Sequence, residues 1–218
     1  MNPTALVVIP LVLLASQAYA VSVSDIGRQA AQEGLAAVPS RYLDKVYLRP
    51  ALNLSAYRAV MIDPVRVDFD ERWLRDSGYA IPPVGDENLR RIAEGIALDA
   101  RESIAEAFRA RGFAISDTAG TGVLRLAPHL SELYVNAPER PPASNRRTFA
   151  KDAGEATLLL EARDSTTDAV VARMAHRGTA RQADRFTWTT DVTNRIWFGE
   201  LVRRWAAECA AKLEARPR

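Results

Sequence analysis

The residues able to do chemistry are few and scattered. There are two histidines: His129, which follows Pro128, and His176, near the end of an alternating run. Neither has a second His, Cys or carboxylate at metal-ligand spacing. The chain contains no H-E-x-x-H, no G-x-S-x-G, no phosphate loop and no dinucleotide fingerprint. No catalytic, metal or cofactor residue is therefore assigned. Gly120-Thr121-Gly122 falls between two strands, without a following helix to offer amides to a phosphate, and reads as a turn. Asp63 stands beside Pro64 where a strand bends, a position open to a catalytic carboxylate but ordinary for a strand end. Cys209 is the only cysteine, which excludes an intramolecular disulfide. Trp205, Cys209 and Leu213 lie four apart on one helical face, so the thiol is expected to be buried.

Binding chemistry has more candidates. Residues 136–151 hold three prolines together with Arg140, Arg146, Arg147 and Lys151, which makes a basic loop. Such a loop suits an anionic envelope surface, lipid head groups or wall polymer, and is equally an ordinary solvated loop. Arg173 and Arg177 complete the candidate interaction surface from the polar side of a hairpin. Phe186, Trp188, Trp197 and Phe198 either line a groove or pack in the core. Net charge is only +2, which argues against a nucleic-acid partner.

The element that must position these groups is the stretch from Gly154 to Gly178. Side chains alternate faces along a strand. Ala156, Leu158, Leu160 and Ala162 share one parity, and Thr157, Glu161 and Arg163 the other, with Leu159 the exception. Val170, Ala172, Met174 and His176 form the second apolar set. Pairing Leu160 with Ala172 and Leu158 with Met174 puts both sets on one face, and leaves Asp164-Ser165-Thr166-Thr167-Asp168 as the loop. Glu161 then lies diagonal to Arg173.

The remaining elements read as partners for that face. Residues 54–69 predict a strand broken at Pro64. Residues 71–85 read as a connection anchored by Trp73 and Tyr79. Leu89, Ile92, Ile96, Ala100, Ile104 and Phe108 recur at helical steps, which predicts a helix from an Asp86 N-cap to a C′ glycine at Gly112. A short strand at 113–117 and a longer one at 123–135, bent at Pro128, come next. A last helix presents Val192, Ile196, Val202, Trp205, Cys209 and Leu213 inward. The fold class expected is α+β: a two-layer sandwich with a mostly antiparallel sheet and two long helices on one face.

Residues 1–20 read as a cleaved signal peptide. Their apolar run of about eleven residues is too short for a bilayer, which takes about 20. The run ends in Ala18-Tyr19-Ala20, a small-x-small cleavage pattern. No later run is long enough for a transmembrane helix. Residues 21–55 form an N-terminal arm, in which 24–37 is either a short helix or flexible. Residues 40–50 carry enough apolar residues to lie against the domain. Residues 56–215 make one α+β domain.

Several stretches resemble the bacterial family catalogued as domain of unknown function 3313. Tyr57 to Val65 (YRAVMIDPV) resembles its "Y-x-x-V-M-I-D-P-V" strand. Gly120 to Leu126 (GTGVLRL) resembles its "G-P-G-V-L-R-L" turn, with Thr121 replacing the usual proline. Gly154 to Arg163 with Asp164-Ser165 resembles its strand and turn, and Trp205-Ala206 its last helix. The resemblance implies an exported, often lipoprotein-like protein of the cell envelope, and no defined catalytic residues. Leu14-Ala15-Ser16 begins like a lipobox, but Gln17 stands where the acylated Cys would be. The expectation is a periplasmic protein, peripheral to the outer membrane. Its work would be non-enzymatic binding of an envelope protein or anionic envelope surface. The alternative is an envelope-polymer hydrolase using carboxylates such as Asp63.

Overall fold

The computed structural model describes residues 25–78, 85–135, 149–150, 152–181, 187–188 and 191–214. Four helices accompany an eight-stranded mixed sheet, an α+β architecture. The elements in order are α1 (Ile26–Gln32), β1 (Ala36–Ala37), β2 (Lys45–Leu48), β3 (Ala59–Ile62) and β4 (Arg66–Phe69), with a 3-10 turn at Leu54–Ala56 before β3. There follow α2 (Glu71–Gly78), α3 (Asp86–Ala110), β5 (Ala114–Ile115), β6 (Val123–Val135), β7 (Phe149–Ala150), β8 (Asp152–Asp164), β9 (Val170–Arg181), β10 (Thr187–Trp188) and α4 (Asp191–Leu213). The strand order is β1-β2-β9-β8-β6-β3-β5, with β4 continuing the β3 position along β6. β7 and β10 form a separate two-stranded ladder.

The sheet is antiparallel from β1 through β6 and parallel from β6 outward. The expected mostly antiparallel character holds for four of the seven pairings, and the parallel ones are confined to those made by β3, β4 and β5. The reason is α3, which returns the chain from β3 and β4 to β5 and β6, and such a crossover sets strands parallel. Between β3 and β4 the chain breaks at Pro64, as expected. Pro128 does not bend β6, which runs on through it. The Asp63 N–H donates to the Leu126 carbonyl (2.9 Å). Alternation therefore turns residue 128 toward the gap between β3 and β4, where a missing donor costs no ladder bond. The irregularity falls instead at Glu132, whose φ is +52°.

The hairpin β8–β9 keeps the expected faces with a register two residues away. Leu160 pairs with Met174, Leu158 with His176, and Glu161 lies directly opposite Arg173. Because the shift is even, no side chain changes face. Leu158, Leu160, Ala162, Ala172 and Met174 share one cluster with Ile104 and Phe108 of α3 and Trp197, Leu201, Trp205 and Cys209 of α4. Fully burying each large side chain contributes about 1.5–3 kcal/mol. Leu159, the parity exception, is explained by α1. Ile26 packs on Leu159 and Ala175 from the opposite face.

Local signals set the helix ends. Gly85, rather than Asp86, holds the N-cap position of α3, and Asp86 and Glu87 fill its first turn, where carboxylates suit the helix dipole. At the other end Gly112 has φ +82°. Its N–H donates to Arg109 O (2.9 Å), and that of Phe113 to Phe108 O (3.1 Å). Phe108 and Phe113 then meet edge to face at 5.4 Å, closing a Schellman cap. In α4, Ile196 is half exposed, and Trp197 and Phe198 are buried in its place. A Cβ at Gly178 of β9 would stand 2.6 Å from Leu201 Cδ1, so a larger residue there would have to displace that side chain.

One segment expected as a connection is regular, and the arm segment expected to lie against the domain joins the sheet. Residues 71–78 form α2, whose Trp73 stacks on Phe69 at 4.7 Å and donates from Nε1 to Val135 O (2.8 Å). Tyr79 lies outside the described residues. Residues 45–48 of the N-terminal arm are a sheet strand, paired with β9. No helix among the described residues is long and apolar enough to cross a membrane.

Candidate interaction surface

The hairpin turn is the best-organised polar site. Asp164 Oδ1 accepts from the backbone N–H of Thr166 (3.0 Å) and Thr167 (2.9 Å) and from both threonine hydroxyls. Its Oδ2 accepts from the Tyr57 hydroxyl at 2.9 Å. The Thr166 hydroxyl, with the neighbouring amides and Tyr57, holds the Asp164 carboxyl well below the usual carboxylate range. Burial, then the bond to Asp164, pushes Tyr57 up to about 12. Ser165 Oγ donates to Gly120 O and accepts from Gly120 N (both 3.1 Å). Gly122, at φ +75°, accepts from the N–H of Arg58 and Ala59, and a Cβ on it would meet Ala56 O at 2.8 Å. Three stretches far apart in sequence, at 57–63, 120–126 and 154–165, are thus tied together at one end of the sheet.

The face opposite α3 and α4 carries a ladder of charges. Asp63 sets both oxygens on Arg125 Nε (3.0 and 2.9 Å). Glu161 pairs with Arg163 and with Arg173, and Arg163 also reaches Asp168 (3.2 Å). Arg173 was expected on an open face, but α1 and the residue after it cover it. It is 8% exposed, and Glu33 accepts from its Nε (2.6 Å) and Nη2 (2.7 Å). Arg177 is exposed and pairs with Glu155 (3.1 Å) and Glu132 (3.6 Å). Its backbone N–H donates to Asp44 Oδ2 at 2.7 Å. Arg140, Arg146, Arg147 and Lys151 lie outside the described residues, as does Phe186.

The histidines have separate surroundings. His129 is buried with Nε2 2.7 Å from Asp68 Oδ2 and Nδ1 3.3 Å from Arg66 Nη2. Burial lowers its pKa, and the Arg66 charge adds to that against the pull of Asp68. A neutral ring donating from Nε2–H to Asp68 and accepting at Nδ1 from Arg66 satisfies both contacts. His176 Nδ1 stands 3.3 Å from Asp44 Oδ2. No group of three or more His, Cys, Asp or Glu among the described residues could hold a metal ion. Cys209 is fully buried, and burial pushes its thiol pKa well up. Glu33 and Asp44 carried no signal in the sequence, because their partners on β9 are more than a hundred residues away.

Comparison with known proteins bears on this arrangement. A family profile described as "Protein of unknown function (DUF3313)" matches residues 30–209. The chain belongs to that family. The three tied stretches of this DUF3313 protein include most of the residues that carry the resemblance, while Trp205-Ala206 lies in α4. No curated protein matches. Among solved structures, a PelC dodecamer from Paraburkholderia phytofirmans shows 14% identity over 79% of this chain and 96% of its own, with a TM-score of 0.41. A putative neuraminyllactose-binding hemagglutinin homolog from Helicobacter pylori shows 10% identity over 74% and 84%, with a TM-score of 0.39. A minor lipoprotein from Acinetobacter baumannii shows 11% over 72% and 94%, with a TM-score of 0.33. Likenesses this distant carry no argument about activity.

Proposed function

We propose that this DUF3313 protein is an exported, periplasmic interaction domain of the cell envelope that works by binding rather than catalysis. In this reading residues 1–20 are a cleaved leader. Residues 21–55 are an arm and residues 56–215 one domain, a two-layer sandwich with α3 and α4 on one face. The address is supported by the apolar leader ending in Ala18-Tyr19-Ala20. Gln17 in the place of an acylated Cys fits a peripheral rather than a lipid-anchored protein. The observation that carries binding over hydrolysis is Asp63. Both its oxygens rest on Arg125, which makes it a link between β3 and β6. The partner proposed is an envelope protein or an anionic envelope surface, met by Arg140, Arg146, Arg147 and Lys151 together with Arg177.

The test is crosslinking in intact cells followed by purification, with wild type beside a variant in which Arg140, Arg146, Arg147 and Lys151 are alanine. A partner or lipid class enriched with wild type and lost with the variant is expected. Equal recovery from both removes the basic loop from the argument. An Asp63→Asn variant that loses a wild-type hydrolytic activity on envelope polymer, while remaining equally stable, overturns the binding reading. Fractionation that leaves the chain in the cytoplasm overturns the address.

A further inference from the structure

β9 runs for twelve residues, yet β2 covers only Ala172 to Ala175. Past Lys45 the ladder ends because Asp44 takes the Arg177 N–H with its carboxylate instead of a backbone carbonyl. Backbone groups alternate sides along a strand. The Val171 carbonyl accepts from Arg49 N–H and the Arg177 N–H meets Asp44, so odd-numbered residues face this flank. Thr179 N–H, Thr179 C=O and Arg177 C=O therefore point outward beyond the end of β2. Even-numbered residues face β8. Thr179 is exposed, and no strand among the described residues pairs with this flank.

Unpaired edges template further pairing unless they are guarded. The other margins of the sheet are guarded. β1 and β5 are two residues long. β4 alternates Arg66 and Asp68 and carries a register shift. Gly178-Thr179-Ala180 has neither charge nor proline.

We propose that this flank of β9 pairs antiparallel with the same flank of a second copy, about a two-fold axis at Thr179. The edge is self-complementary there: each Thr179 N–H meets the Thr179 carbonyl of the other copy. A threonine opposite a threonine is a favourable cross-strand pair. A centre at Gly178 would make only two bonds, Thr179 N–H to the Arg177 carbonyl each way, because Asp44 holds the Arg177 N–H that would extend it. The Thr179 centre adds bonds from the position 181 N–H to the Arg177 carbonyl and so makes four. The Thr179 register sets Arg177 opposite position 181 of the second copy. Glu155 and Glu132 already answer the Arg177 charge, so that juxtaposition is not a bare repulsion. This self-association does not depend on the envelope-binding reading.

Sedimentation of the purified chain over a wide concentration range tests it. Wild type is expected to show a concentration-dependent dimer. Thr179→Ala keeps the outward N–H and should dimerise like wild type. Thr179→Pro removes that N–H while sparing the even-numbered ladder to β8, and should weaken the dimer by about tenfold or more. Thr179→Lys sets like charges across the axis and should do the same. Circular dichroism and thermal melting establish that the variants fold. Should both unfold, hydrogen exchange at the Thr179 amide of wild type decides, and is expected to slow as concentration rises. A wild type that stays monomeric overturns the proposal. So does a dimer unaffected by both folded variants, or an exchange rate independent of concentration.

Discussion

Replacing Tyr57 by phenylalanine deletes one oxygen from a buried ring and little else. The phenol donates to Asp164 Oδ2 at 2.9 Å and is 8% exposed. Hydrogen bonds to charged groups contribute about 1.5–3 kcal/mol net. In Tyr57→Phe the carboxylate keeps its bonds to Thr166 and Thr167, so no charge is orphaned and the low end of the range applies. The expected loss is about 1.5 kcal/mol. Asp164→Ala also releases two backbone N–H groups, but in an exposed turn where water replaces the acceptor, and should cost about 3 kcal/mol. In the double variant the losses should fall short of the sum by about 1.5 kcal/mol, the coupling between the pair. Urea unfolding at neutral pH measures all four corners of the cycle. A coupling below about 0.3 kcal/mol would refute the claim that this bond ties the Tyr57 segment to the hairpin turn. The same pair leaves two marks on pH dependence. Asp164 titrates below its unfolded value of 3.8, so its contribution is present above that pH and is lost as pH falls toward the folded value. Tyr57 is raised from 10.0 to about 12, so its contribution is full below pH 10 and fades as pH climbs through that window. Tyr57→Phe should reduce the alkaline loss, leaving the part due to the buried Cys209 thiol.

Gly154 has φ +133°, and a Cβ on it would lie 1.8 Å from Tyr134 O. Gly154→Ala should cost more than about 3 kcal/mol or prevent folding, whereas Gly120→Ala, whose nearest contact is 3.8 Å, should change stability by less than about 1 kcal/mol; thermal melting compares them. His129 is held neutral by burial, its folded pKa lying below the unfolded 6.5. Its contribution should be full above that pH and decline as pH falls below it, and the slope of stability against pH between neutrality and mild acid should flatten in His129→Gln. Equal slopes would show that another group titrates there.

Periodicity made the long elements legible. The stripe through Leu89 and Phe108 located α3, and Gly112 located its end. The alternation at 156–162 located the hairpin and its faces. The two-residue error in register was invisible because an even slip preserves the pattern, and only the pairing Glu161 to Arg173 distinguishes the two. The sequence carries no helical signal for α2 because residues 71–78 are strongly polar, and Trp73 is the buried residue among its described side chains. Ile196 was misplaced because the inward face of α4 is wide, and a single stripe underestimates it. Arg173 looked free because its cover comes from Glu33, 140 residues earlier. Long-range partners of this kind leave no local trace. The resemblance of four short stretches to one family did carry the right information, and the structure gives it a physical meaning for three of them, which are tied to one another.

The strand order has a consequence for when the chain can fold. β2 finds its partner in β9, β3 and β4 find theirs in β6, and β6 finds its antiparallel neighbour in β8. Nearly every ladder begun in the first half is completed by the second. Apart from the two-residue pairing of β1 with β2, the local pair in this sheet is β8 with β9, and it comes late. A chain emerging from its N-terminus therefore has no finished sheet until β8 and β9 are available, and such non-local pairing is slow. The hairpin acts as a closing clasp, supplying the partners that β2 and β6 need. If the chain is exported as proposed, that delay would suit a polypeptide that travels as an open thread before it takes shape.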